Sequence, residues 1–215
     1  MNRSTRNLTM AVAILVVAEA GSRASDAGPT AHCDAGERCA KQMFIDVHAL
    51  PPGGVSPEAV AEAHAKDLAV QGAHGVEFEK YWVDEEAGLV YCLSRAPDAA
   101  SVASTHREAH GLLPARVHPV TEGQAAHLRG EGRLFLDIHQ LGAGNVTTES
   151  VAEAHAKDLA VQTAHGVNFV RYWVDETDGV VFCLSEALDS EAVRATHREA
   201  HGLLPDLVLE VTQGE

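Results

Sequence analysis

Ten of the thirteen histidines in this 215-residue chain form five equivalent pairs, each separated by 91 residues: His48/His139, His64/His155, His74/His165, His106/His197 and His110/His201. A neutral imidazole is the commonest protein ligand for a metal ion, so a set this large and regular points first to metal chemistry. His32, His118 and His127 have no mate and are set aside. His106 and His110 stand four apart, about one helical turn, and Val102, Ala109 and Leu113 share their face. The segment reads His-Arg-Glu-Ala-His rather than H-E-x-x-H, and Glu108 projects to the far side. A metalloprotease-like general base is therefore not available there.

Val60, His64, Asp67, Gln71 and His74 form a second polar stripe, within about 80° of one another on a helix. Asp67 is there either a ligand or a carboxylate that orients a liganding imidazole; the alternative is a hydrogen-bonded His64–Asp67 pair. On a strand at residues 43–48, Phe44, Asp46 and His48 share one face, and Met43, Ile45 and Val47 share the other. The second copy repeats this, with Phe135, Asp137 and His139 against Leu134, Leu136 and Ile138. The candidate ligands are Asp46, His48, His64, Asp67, His106 and His110, with Asp137, His139, His155, Asp158, His197 and His201 in the second copy. Their spacing suits nickel, zinc or copper about equally. Imidazole and carboxylate must both lose protons to ligate, so binding should weaken as pH falls through about 6.5 toward 5.

The elements that must position these residues are written twice. VAEAHAKDLAVQ at residues 60–71 recurs unchanged at 151–162, YWVDE at 81–85 recurs at 172–176, and THREAHGLLP at 105–114 recurs at 196–205. Two modules follow, at residues 43–121 and 134–212, joined by a polar, glycine-punctuated linker at 122–133. In the first module, Ser56-Pro57-Glu58 opens a helix that runs to His74 and stops at Gly75. Strands at 76–84 and 89–94 flank a Glu-Glu-Ala-Gly turn, Asp98 caps a helix ending at Gly111, and residues 116–121 form a last strand. The order βαββαβ predicts an α+β fold of two ferredoxin-like modules, each a four-stranded antiparallel sheet in the order 4-1-3-2 under two helices. This topology brings His48, His64, His106 and His110 to one rim of the sheet. The uniformly apolar face of the first strand is expected under the helices. That leaves Asp46 and His48 on the open face, where the other module could cover them. One site or two per module follow equally well.

The net charge of −15, from 31 acidic and 16 basic residues, argues against a nucleic-acid partner. At the N-terminus, Arg3 and Arg6 precede an apolar run at residues 8–17 and then Ala18-Glu19-Ala20, the pattern of a cleaved export signal over residues 1–20. The expected location is periplasmic or secreted. The run is too short for an ordinary spanning helix, so no stable membrane insertion is expected after cleavage. Residues 21–42 read as a flexible leader in which Cys33 and Cys39 could pair. Cys92 and Cys183 occupy equivalent apolar strand positions and read as small buried side chains.

FIDVH at residues 44–48, AHAKDLAVQ at 63–71, YWVDE at 81–85, YCLSRAP at 91–97 and THREAHGL at 105–112 closely resemble small bacterial nickel-binding proteins of ferredoxin-like fold. The resemblance covers each module end to end. It implies nickel as the ion, and modules that pair as homodimers do. This chain departs from that plan in carrying two fused modules, which implies an intramolecular pseudo-dimer, and in its export signal. The reading that follows is an exported metal-binding protein that sequesters or delivers nickel without catalysis. Two alternatives stand beside it: a small-molecule or haem enzyme of the dimeric α/β-barrel type, and a metal-free interaction module.

Overall fold

The computed structural model describes residues 40–124 and 126–215. The export signal and the Cys33–Cys39 pairing fall outside the described residues. The first module runs β1 (Gln42–Ala49), α1 (Pro57–Val70), β2 (Glu77–Asp84), β3 (Leu89–Ala96), α2 (Ala99–Ala109) and β4 (Arg116–Glu122). The second runs β5 (Arg133–Gln140), α3 (Thr148–Val161), β6 (Asn168–Asp175), β7 (Val180–Ala187), α4 (Ser190–Ala200), β8 (Leu207–Glu210) and β9 (Thr212–Gly214).

The caps act where the sequence places them. Ser56 Oγ accepts from the Ala59 amide at 3.3 Å, and Asp98 Oδ1 from the Ser101 amide at 2.8 Å. The first helix is not continuous to His74. It tightens at Gln71 into a 3₁₀ turn, Gln71–His74, closed by Gly75 at φ 69°. Gln71 Oε1 accepts the Phe78 amide at 2.7 Å, which ties this turn to the start of β2. The second helix ends at Ala109, so His110 is its C-cap rather than part of it.

Each module has the strand order expected, β4-β1-β3-β2 and β8-β5-β7-β6. Across the whole sheet the order is β8-β5-β7-β6-β4-β1-β3-β2-β9. The two ends, β8 and β9, are consecutive in the chain with only Val211 between them. The sheet therefore closes on itself as a barrel, and the two modules pair within one chain. Each module lends the end of its last strand to the other: Thr121 and Glu122 pair with β6, and Thr212–Gly214 pair with β2. Closure removes exposed sheet edges.

Closure also reverses one expectation. Met43, Ile45 and Val47 do not lie under the helices. They face the barrel interior with Trp82, Leu93, Leu136, Ile138, Trp173 and Leu184, and the two indole rings pack 5.1 Å apart. Both faces of the sheet are covered, so the more apolar face does not mark the helix side. Phe44, Asp46 and His48 lie under α1 and α2, Phe44 among Val60, Phe78 and Val102. No helix among the described residues is long and apolar enough to cross a membrane.

Candidate metal centre

On β1, residues 46 and 48 project to the same face because strand side chains alternate. On α1, the side buried against the sheet is Val60, His64 and Asp67; on α2 it is Val102, Thr105 and His106. A helix usually spends that arc on apolar residues. Here the polar residues of both helices meet the polar pair of the strand.

His106 lies at the middle of the cluster, 1 % exposed. Its Nε2 is 3.2 Å from Asp46 Oδ1, which is itself 3.1 Å from His48 Nε2. Its Nδ1 is 3.0 Å from Asp67 Oδ1 and 3.3 Å from His110 Nε2. The second module repeats the arrangement: Asp137 Oδ1 is 3.3 Å from His139 Nε2 and 3.4 Å from His197 Nε2. His197 Nδ1 is 3.0 Å from Asp158 Oδ1 and 3.3 Å from His201 Nε2. Five of the six candidates in each module thus lie close together under the helices, none of them on an open face, and Asp67, His106 and His110 bring one ligand atom each within 4.8 Å of the others.

His64 and His155 stand apart. The His64 ring packs against Tyr81 and Phe78, with centroids 4.9 and 5.9 Å away, and has no polar partner among the described residues. Burial pushes its pKa down, which keeps the ring neutral. It lines a cavity of about 330 Å³ that also reaches His48, Asp67, His106 and His110. The alternative His64–Asp67 pair is not formed among the described residues; Asp67 pairs with His106 instead. His74 lies outside the centre and pairs with Glu108 at 2.8 Å.

The electrostatics of the cluster follow from burial. Burial alone would lower the His106 pKa, but the carboxylates of Asp46 and Asp67 outweigh it and raise it to about 9. The same balance raises His197 to about 10. Burial alone would raise the Asp46 carboxyl, but His106 and His48 hold it below the usual carboxylate range. The imidazoles of His106 and His110 stand at the C-terminal end of α2, where the helix dipole favours positive charge.

A cation fits this set on a specific ground. Asp46 Oδ1 and Oδ2 and His106 Nε2 are fully buried, and none has a hydrogen-bond partner among the described residues; Asp137 and His197 repeat this. They stand at contact distance but off the line of a hydrogen bond. Donors on an ion about 2.0–2.2 Å away lie about 3.0–3.5 Å from one another, which is the spacing found here. On the other side of the ring, Asp67 bonds His106 Nδ1 and leaves Nε2 turned toward Asp46 and His48.

The family profile described as "Nickel responsive protein SCO4226-like" matches residues 44–120 and, again, 135–211. The chain belongs to this SCO4226-like family. SCO4226 from Streptomyces coelicolor A3(2), known from a crystal structure, is 35% identical over 38% of this chain and 99% of its own, with a TM-score of 0.36. It has the length of one module, and this family member carries two. A chlorite dismutase variant from Candidatus Nitrospira defluvii matches 81% of this chain and 91% of its own at 9% identity, with a TM-score of 0.48. A haem-binding protein from Thermus thermophilus matches 82% and 91% at 10% identity, with a TM-score of 0.39. No curated protein matches the chain in sequence.

Two features escaped the sequence reading. His118, which has no repeat mate, bonds Asp175 across the β4–β6 seam at 2.8 Å. The Arg116 guanidinium occupies the neighbouring Asp178 carboxylate, so this group works as a clasp between modules. The other is Cys92, which shares the face of Asp46. Its recurrence as Cys183 was a visible signal, but only the strand register shows what it lies against.

Proposed function

We propose that this protein binds a transition-metal ion, nickel by its family, in a buried centre present once in each module. Asp46, His48 and His106 Nε2 hold the ion in the first module, and Asp137, His139 and His197 Nε2 in the second. Asp67 and Asp158 orient the liganding imidazoles from behind, with His110 and His201 beside them. The observation that carries this reading is the fully buried Asp46 carboxylate, which makes no well-aligned hydrogen bond on either oxygen although two imidazole nitrogens lie 3.1 and 3.2 Å from its Oδ1, an arrangement repeated at Asp137. A buried carboxylate without aligned hydrogen bonds is costly, and a bound cation offsets that cost.

The role proposed is sequestration or delivery outside the cytoplasm, without catalysis. Export rests on the pattern of the first 20 residues. The test is calorimetric titration of the apo chain with nickel, followed by elemental analysis, on the parent and on His48→Ala/His139→Ala. Stoichiometric uptake that weakens by about tenfold or more in a folded double variant supports the centre. Failure of the parent to take up nickel, zinc or copper overturns the reading. A Soret band in the purified protein would favour the haem-enzyme alternative instead.

A further inference from the structure

β1 and β3 are antiparallel neighbours in a register that sets Asp46 opposite Cys92; β5 and β7 set Asp137 opposite Cys183. Residues directly opposite across a ladder project to the same face with their Cβ atoms about 5 Å apart. Cys92 therefore lies under the helices beside Asp46, and His48 lies two residues further along. One ligand atom each of Asp46, His48 and Cys92 falls within 4.8 Å of the others, and so does one each of Asp137, His139 and Cys183. Neither cysteine is in a disulfide.

Packing alone accounts for a buried cysteine but not for this neighbour. A neutral thiol can give the buried carboxylate beside it only a weak S–H hydrogen bond. Burial together with the charges of Asp46 and Asp67 makes the free Cys92 thiolate harder to form. The carboxylate itself makes no well-aligned hydrogen bond, with both oxygens of Asp46 buried, and likewise those of Asp137. A cation at this point neutralises the carboxylate and deprotonates a coordinating thiol outright.

We propose that Cys92 and Cys183 are thiolate ligands of the two centres, beside Asp46/His48 and Asp137/His139, and that they make the centres selective for thiophilic ions. The inference rests on the metal-binding reading above and adds the source of its selectivity. On binding, the thiol proton leaves to solvent and a sulfur–metal bond forms, with no change of oxidation state. Soft and borderline ions such as nickel(II), zinc(II), cadmium(II) and copper(I) are then favoured over manganese(II) or magnesium(II), which prefer oxygen.

The test uses the full chain loaded with nickel(II), examined by X-ray absorption at the nickel edge and by near-ultraviolet absorption. A sulfur shell at about 2.3 Å and a thiolate-to-metal charge-transfer band are expected. In Cys92→Ser/Cys183→Ser, and equally in Cys92→Ala/Cys183→Ala, the band should vanish. Cadmium affinity should fall by at least about tenfold, and by more than manganese affinity does. A nickel-loaded parent with nitrogen and oxygen neighbours only and no such band overturns the thiolate and leaves metal binding standing. A parent that binds no ion overturns both.

Discussion

His106 has a carboxylate against each ring nitrogen, and with its pKa raised to about 9 it is an imidazolium at neutral pH when no ion is bound. The proton there supplies the positive charge that Asp46 and Asp67 need, so ion and proton compete for one place. An ordinary imidazole would stop competing above about pH 6.5. Here nickel affinity should go on rising from pH 7 to 9, and titrations across that range would show it; a plateau from pH 7 upward would contradict the competition. The same shift predicts the stability of the apo protein. A histidine whose pKa is higher folded than unfolded stabilises fully below about 6.5 and loses that contribution as pH rises toward 9. Apo unfolding temperature should therefore decline between pH 6.5 and 9, as His106 and His197 lose their protons. Nickel-saturated protein should lack that decline. Asp67→Asn with Asp158→Asn should weaken nickel binding by about 10–100-fold, through loss of orientation rather than of a ligand.

Among the elements, the borrowed strand ends are closely packed. Gly123, just past β4, lies against the ring of Tyr172, and Gly214 in β9 lies against Tyr81; a Cβ at either position would overlap the ring. Each tyrosine also packs on the buried histidine of its module, His155 or His64, with ring centroids 4.6 and 4.9 Å apart. Glycine is needed here for close approach of the backbone. Gly123→Ala and Gly214→Ala should each cost about 1–3 kcal/mol, measurable by denaturant unfolding, since overpacking moves backbone or ring. A neutral effect would mean that the strand end is loosely held.

For the whole molecule, the shared barrel makes the two modules one folding unit. Trp82 and Trp173 meet in its interior, each 1 % exposed. Either one changed to Ala should cost about 3–5 kcal/mol and lower a single cooperative transition. Two separate transitions in calorimetry, only one of them moved, would show that the modules fold independently. The single indole hydrogen bond at the seams, Trp82 Nε1 to Gln213 Oε1 at 3.0 Å, has no counterpart at the buried Trp173 Nε1 among the described residues. Trp82 is therefore expected to be the costlier of the two to remove.

The order of elements, their caps and the βαββαβ pattern of each half were legible in the sequence, because caps, glycines and alternation act over a few residues. Ser56, Asp98 and Gly75 punctuate the chain wherever it folds. The repeat spacing likewise made the equivalent histidines visible. Which face of β1 lies under the helices was not legible. That depends on what covers its other face, the strands of the second module 91 residues further along the chain. Only the barrel turned Asp46 and His48 toward His106. Only the β1–β3 register put Cys92 beside Asp46, and only the helix-to-sheet packing left His64 against Tyr81, apart from the charged cluster. Local rules choose elements, but a site built from four of them is decided by long-range pairing, which adjacent residues do not encode.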